Sequence, residues 1–290
     1  MKLIVISGRS GSGKSTALNA LEDEGFSCID NFPAGLLQAL IQSNLEAEIV
    51  QDLAVCIDAR NAPSDLARLP EGLRALDQVN LDIQVIFLDA LADTLMKRFS
   101  ETRRRHPLTQ RTKDLRQAID TERDLLAAVS EIADLQIDTT TLTHAGLVAL
   151  IKARVIDKST NSISLLFRSF AFKNGVPIDS DFVFDARCLP NPYWQKDLRS
   201  LSGIDPPVRN FLDSQPVAAL LVKDISSFLE TWLSEFEKSN RAYLTVAIGC
   251  TGGQHRSVYV VEKLSIHFSK KYSDVLVRHQ ETGSTTDALR

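Results

Sequence analysis

Cysteine is scarce in this 290-residue chain, and its four copies, Cys28, Cys56, Cys188 and Cys250, form no CxxC pair. That scatter argues against a disulfide framework and against a structural zinc site, leaving reduced, mostly buried thiols as the expectation. Long apolar runs are missing as well. The opening stretch, residues 3–6, stops at Ser7-Gly8 and is far too short for a signal peptide or a membrane anchor, so a cytoplasmic protein with no membrane contact is expected. Internal repeats and low-complexity tracts are absent. Nor is there an excess of positive charge: the net charge is −4, which withholds the bulk signature of a nucleic-acid binder. The charge is uneven, −6 over residues 1–157 and +2 over 158–290. The second half is thus the better candidate for a polyanionic partner, with a plain solvated surface as the alternative. What remains is an ordinary globular composition, 44% hydrophobic and 24% charged, with length for two modest domains.

Short apolar runs rich in β-branched residues recur at 3–6, 26–29, 53–57, 83–88 and 135–137, and read as buried parallel strands. Helix-period segments lie between them, at 14–24, 33–42, 92–104, 113–132 and 143–156. Pro33, following Asn31-Phe32, suits the first turn of a helix, with Asn31 as its cap. Strand and helix in alternation predict an α/β layer with helices on both faces of a parallel sheet. The pattern restarts after the polar stretch Asp157-Lys158-Ser159-Thr160-Asn161, so the chain divides into domains 1–157 and 158–290. The second, smaller α/β domain has strands at 163–167, 182–184 and 244–248, helices at 218–236 and 258–268, and a proline-rich connection over 189–207. A connection of that length without periodicity points to a functional loop or an interface.

Gly8-Arg9-Ser10-Gly11-Ser12-Gly13-Lys14-Ser15 fits the GxxxxGK[ST] phosphate loop, and its context is right: a strand runs into it and a helix opens at Thr16. Glycines let successive N–H groups converge on phosphate oxygens, the helix start adds partial positive charge, and Lys14 brings an ammonium to the β- and γ-phosphates. A purine nucleoside triphosphate, ATP or GTP, is the expected ligand. Magnesium would take Ser15 and a carboxylate ending a neighbouring strand, either Asp58 or Asp89. Asp58 is preferred because Asp58-Ala59-Arg60-Asn61 joins a cation and an amide to it; Asp89 can instead cap the following helix. Lys14, Ser15 and Asp58 are the catalytic candidates. The segment Thr102-Arg103-Arg104-Arg105-His106-Pro107-Leu108, with Arg111, Arg116 and Arg123 beyond, reads either as a phosphate-covering lid or as a solvated helix face paired with Glu101, Asp120, Glu122 and Asp124.

A second strand, residues 243–248, feeds Gly249-Cys250-Thr251-Gly252-Gly253-Gln254-His255-Arg256-Ser257 and then a helix. This is a second oxyanion nest, with Arg256 available for bidentate contact. The Cys250-to-Arg256 spacing also matches the CxxxxxR loop of cysteine phosphatases, with Asp185 as a stand-in general acid, although Gly249 replaces their usual histidine. Phosphate or phosphosugar binding is favoured over cysteine chemistry.

These motifs, together with Asp30-Asn31, Phe170-Ala171-Phe172-Lys173-Asn174-Gly175 and Arg187 before Leu189-Pro190-Asn191-Pro192, resemble the family of bacterial RNase adapter proteins typified by RapZ and its Gram-positive relative YvcJ. The resemblance covers essentially the whole chain. It implies an N-terminal P-loop domain that hydrolyses ATP and GTP weakly, with Asp58, Ala59, Arg60 and Asn61 as a second nucleotide segment. It also implies a C-terminal domain that senses an amino-sugar phosphate through Asp185, Arg187, Cys250, Thr251, Gly252, Gly253, His255 and Arg256. Enteric members bind small regulatory RNA there and present it to an endoribonuclease, and a homo-oligomer is implied. The basic run that ends enteric members is not present in residues 280–290, leaving Lys270, Lys271 and Arg278, with His279, as the candidate RNA contacts. A small-molecule kinase is the competing expectation from the loop, the arginines and Asp30-Asn31, and a cysteine phosphatase is the third.

Overall fold

The computed structural model describes residues 1–46, 51–76, 81–102, 105–109, 112, 114–156, 163–239, 241–281 and 284–287. The chain forms two compact units, Met1–Asp157 and Lys158–Arg290.

The first unit is built on a five-stranded parallel sheet in the order β2-β3-β1-β4-β5: β1 Lys2–Gly8, β2 Ser27–Ile29, β3 Leu53–Cys56, β4 Asp82–Asp89 and β5 Leu135–Asp138. β1 lies at the centre and is apolar on both faces, as a strand covered on both sides must be. Leu3 and Val5 pack with Leu66 and Leu69 of α3 (Pro63–Leu76) and Val129 of α6 (Ala127–Glu131). Ile4 and Ile6 face the opposite side, where α1 (Lys14–Glu22) packs beside α7 (His144–Ile151). α2 (Leu37–Glu46), α4 (Ala92–Thr102) and α5 (Leu115–Leu125) complete the unit.

Local rules account for two of the helix starts. Asp114 caps α5 by accepting the Gln117 N–H at 2.8 Å, and Thr143 caps α7 through Gly146 N–H at 3.1 Å. The helix expected over 113–132 is two helices, broken at Leu126. α3 lies outside the expected segments; it starts at Pro63 and carries Pro70 inside, yet its leucines 66, 69, 73 and 76 keep a helical spacing and are all buried.

The second unit holds a sheet in the order β10-β9-β6-β8-β7, all parallel except the β9–β10 pair: β6 Ser164–Ala171, β7 Phe182–Asp185, β8 Tyr243–Cys250, β9 Val275–His279 and β10 Ser284–Asp287. Leu165 and Phe167 of β6 and Val246 and Ile248 of β8 pack under α9 (Pro216–Lys238) and α10 (Arg256–Phe268). On the other face of β6, Arg168 is fully buried and donates to Asp179 at 2.5 Å and to Gln280 at 2.8 Å. Within the proline-rich connection, α8 (Pro206–Asp213) starts on two prolines, a use of proline at the first helical turn that the expected loop lacked. β9 and β10 are likewise additions to the expected strands.

Candidate functional site

In the first unit, β1 reaches the glycine loop in register with β4, Gly8 opposite Leu88. Gly8 has φ 137°, and a Cβ there would stand 2.0 Å from the Leu88 carbonyl oxygen, so only glycine lets the chain leave the sheet at this point. Gly11 (φ 84°) and Gly13 (φ 102°) complete the turn onto α1. The turn aims unpaired helix-start N–H groups and the positive end of the helix dipole outward together. Lys14 is buried, its Nζ donating to the carbonyls of Gly8 (2.8 Å) and Arg9 (3.2 Å).

A cavity of about 400 Å³ opens here, and Gly11, Gly13, Lys14, Ser15, Asp58 and Arg60 share its wall. Asp58 is 4% exposed; it accepts the Arg60 N–H at 3.0 Å, and Arg60 Nε stands 3.6 Å from its other oxygen. Asp89 faces elsewhere: it pairs with Arg9 at 2.6 Å and accepts the Ala90 N–H at 2.8 Å, a contact made ahead of α4, which starts at Ala92, so it does not cap that helix. Of the two strand-end carboxylates, Asp58 is the one the fold brings to Ser15. Arg9 is thereby turned away from the cavity that Ser10 and Gly11 line. Asn61 uses its whole amide on backbone, donating to Phe32 (3.1 Å) and Asp58 (3.2 Å) carbonyls and accepting Ala34 N–H (2.7 Å). It fixes the turn bearing Asp30 against the end of β3, while buried Ala59 packs in the core. Beside them Cys56 is a neutral thiol: burial pushes it up to about 12 against the opposing pull of Lys14.

Of the arginine-dense segment, Arg105 lines the cavity. Arg103, Arg104 and Arg111 lie outside the described residues. Arg116 and Arg123 make exposed pairs with Asp93 (3.0 Å) and Asp124 (3.8 Å), contacts of little energetic weight. Two residues that sequence reasoning missed matter more. Arg98 of α4 lines the cavity and donates to the Gly11 carbonyl at 3.0 Å and to Thr139. Glu122, read above only as an exposed partner for arginines, is fully buried and accepts both Ser10 N–H (2.8 Å) and Ser10 Oγ–H (2.7 Å). Its place was legible: it lies three and four positions after the buried Ile119 and Ala118, on the inner face of α5.

In the second unit, β8 delivers Gly249 and Cys250 to a turn that ends at the first residue of α10, Arg256. Gly253 has φ 68°, and a Cβ on it would lie 2.9 Å from Ala171 N, so the turn also needs glycine. Thr251 and Gly252 are exposed at its tip. Arg256, 5% exposed, donates through Nη1 to the carbonyls of Arg187 (2.9 Å) and Leu189 (3.1 Å) and through Nη2 to Thr251 Oγ1 (3.3 Å). Its buried Nε has no hydrogen-bond partner among the described residues. Arg187 stacks 3.9 Å above the Phe172 ring and forks onto Asp185, with a closest approach of 2.6 Å. The hydrogen bond from Arg187 holds the Asp185 carboxyl below its usual range.

His255 does not face the turn. Its Nε2–H donates to the Leu198 carbonyl at 3.1 Å, tying the proline-rich connection to the helix start, and burial holds the imidazole below its ordinary range. Cys250 is buried with its sulfur 3.1 Å from Ser257 Oγ. Neither feature suits a cysteine phosphatase: the thiol is enclosed, and an Asp185 held ionised is the wrong form for a general acid.

The basic cluster loses one member. Lys270 and Lys271 are exposed, but Arg278, in β9, is 4% exposed and so closed to an outside partner. Arg278 and His279 end a buried strand.

A five-stranded parallel sheet, with a glycine loop between its central strand and a helix, and with Lys14 and Ser15 in the wall of a cavity, defines a P-loop nucleotide-binding protein. Residues 1–159 match the RapZ-like N-terminal domain and residues 163–283 the RapZ C-terminal domain. The chain belongs to the RapZ family. A nucleotide-binding protein of Hahella chejuensis is 52% identical over 283 residues, covering 97% of this chain and 99% of the relative. One of Pseudomonas putida is 53% identical, covering 97% and 100%. Among solved structures, shikimate kinase from Bacteroides thetaiotaomicron is 14% identical with a TM-score of 0.37, covering 52% of this chain and 96% of that one. No helix among the described residues is long and apolar enough to cross a membrane.

Proposed function

We propose that this protein is a nucleotide-binding regulator that hydrolyses ATP or GTP slowly and senses an amino-sugar phosphate in its second unit. The observation that carries the reading is a pair of strand, glycine turn and helix constructions, one holding Lys14 and Ser15 beside Asp58, the other holding Arg256. Each presents backbone N–H groups and a cation to an anion. In the first, Lys14 and the N–H groups from Gly13 to Thr16 hold the phosphates. The oxygen donors Ser15 and Asp58 suit magnesium, which binds through one or two protein oxygens plus substrate phosphates. Bound there, the ion would neutralise charge on the transferring phosphoryl group. Arg60, Arg98 and Arg105 stand in or beside the same cavity as further sources of positive charge.

In the second unit the turn from Gly249 to Arg256 takes the phosphate of the sugar, and Asp185 supplies a carboxylate for an ammonium on it. Output as an adapter that presents small regulatory RNA to an endoribonuclease, from a homo-oligomer, follows the family. Lys270 and Lys271 are the exposed cations left for RNA in the cluster once Arg278 is withdrawn, so that binding should be weak and steeply salt-dependent.

Asp30 and Arg60 beside the phosphate loop favour a second reading, a small-molecule kinase with Asp30 as base for an acceptor hydroxyl. One experiment separates the two. The full chain is titrated with ATP and GTP, and turnover is followed with and without a panel of sugars and nucleosides, alongside Lys14→Ala. Slow hydrolysis indifferent to every acceptor, and lost in Lys14→Ala, supports the regulator. A large acceleration by one acceptor moves the assignment to the kinase, and nucleotide binding unaffected by Lys14→Ala removes both.

A further inference from the structure

Glu122 has no part in the readings above, yet it is among the most deeply buried acids of the first unit, at 0% exposure. Three donors converge on its carboxylate. Two belong to Ser10 in the phosphate loop, the N–H at 2.8 Å and the hydroxyl at 2.7 Å. The third is His106 Nε2, at 3.0 Å. The tautomer is settled by the other ring nitrogen, since Nδ1 accepts the Leu108 N–H at 3.2 Å and the proton must sit on Nε2. His106 is itself 2% exposed, with its ring 5.1 Å from Phe99.

The neighbours of this triangle face ligand space. Arg105 and Pro107, on either side of His106, line the cavity, as do Ser10 and Gly11. One carboxylate therefore joins the front of the phosphate loop to the connection between α4 and α5. Burial alone would raise its pKa, but the His106 hydrogen bond, the nearby Lys14 charge and the two bonds from Ser10 hold it below the usual range. A buried acid with all its contacts made is a rigid joint, because moving either partner strands a donor where water cannot replace it.

We propose that Glu122 is a positioning residue that couples the phosphate loop to the Arg105–Pro107 segment, so that the backbone around Ser10 and the placement of Arg105 over the cavity change together. It touches no nucleotide and acts through Ser10 and His106. The proposal rests on the nucleotide reading of the cavity.

The test is a double-mutant cycle in the full-length chain, reading the affinity of a fluorescent ATP analogue and the rate of hydrolysis. Arg105→Ala is combined with Glu122→Ala and, as a variant less disruptive to the core, with His106→Gln. Glu122→Gln is the rescue: its Oε1 can accept from Ser10 N–H and His106 while its amide donates to Ser10 Oγ. Coupling predicts that Glu122→Ala weakens binding about tenfold and that Glu122→Gln stays within about threefold of wild type. It also predicts that Arg105→Ala costs about tenfold in the wild-type background but less than about twofold with Glu122→Ala or His106→Gln. Thermal unfolding of each variant identifies the folded fraction, and His106→Gln carries the cycle if Glu122→Ala does not fold. Strictly additive losses, or folded variants that bind like wild type, overturn the coupling. Wild-type protein that binds no nucleotide overturns the nucleotide reading together with it, an outcome distinct from additive losses in a protein that binds.

Discussion

Arg256→Ala should separate structural anchoring from ligand recognition in the second unit. The wild-type guanidinium donates to the carbonyls of Arg187 at 2.9 Å and Leu189 at 3.1 Å. Hydrogen bonds from a charged group contribute about 1.5–3 kcal/mol each. Part of that is offset, because a buried cation loses its hydration and the Nε of Arg256 has no partner among the described residues. A net loss of about 2–4 kcal/mol in unfolding free energy is expected. Both tryptophans, Trp194 and Trp232, lie in this unit, so their fluorescence during urea unfolding of the full chain reports on it selectively. Titration calorimetry with glucosamine 6-phosphate, and with fructose 6-phosphate as comparator, gives the second readout. With Nη1 held on the two carbonyls, Nη2 is the donor left for a phosphate, and losing that charged hydrogen bond should weaken sugar binding by about tenfold or more. Arg256→Lys keeps the charge but cannot span two carbonyls and a ligand at once, and should fall between. Sugar binding that survives Arg256→Ala undiminished would refute the anion-nest reasoning. A stability loss below about 0.5 kcal/mol would refute the anchoring argument, whatever happened to binding.

Gly8→Ala should destabilise the first unit by about 3 kcal/mol or more, through a left-handed φ and a collision with the Leu88 carbonyl. Chemical denaturation followed by circular dichroism measures it, and a loss under about 1 kcal/mol would contradict the close-approach argument. Because burial holds His255 below its unfolded value, protons bind the unfolded chain preferentially; the resulting stability is complete above the ordinary imidazole value of 6.5 and declines as pH falls through it. Urea midpoints by tryptophan fluorescence should drop between pH 7.5 and 5.5, and His255→Gln should flatten that decline; equal slopes in the two proteins would sink the assignment. Wild type and Cys250→Ser should both leave an aryl phosphate intact, and any phosphate release that depends on Cys250 would reopen the cysteine mechanism.

The elements that sequence revealed and those it hid differ for physical reasons. β1, β4 and the helix α1 announce themselves because a strand buried on both faces is a run of apolar residues and a phosphate loop needs glycine at fixed steps. α3 was hidden by Pro63 and Pro70, although its buried leucines keep a helical period, and α8 by Pro206 and Pro207, where proline starts the helix and does not break it. β9 was hidden because Val275–His279 ends in Arg and His, which read as solvated but are buried there. At the candidate sites, chain-local motifs were legible: Lys14, Ser15 and Asp58 do share one cavity. Contacts between distant segments were not. Glu122 meets Ser10 across 112 positions, and Arg256 meets the Arg187 carbonyl across 69. Polar residues in such partnerships look like surface residues until folding brings the partner.

Lys14 places two of its three ammonium donors on carbonyls of its own loop. An arriving anion meets the third donor and need not break either internal bond, so it adds a partner to a charge already held in position. The two carbonyls stay with the lysine when the anion leaves, so release need not expose a bare buried charge. A phosphate loop held this way keeps its lysine in place whether it is filled or empty.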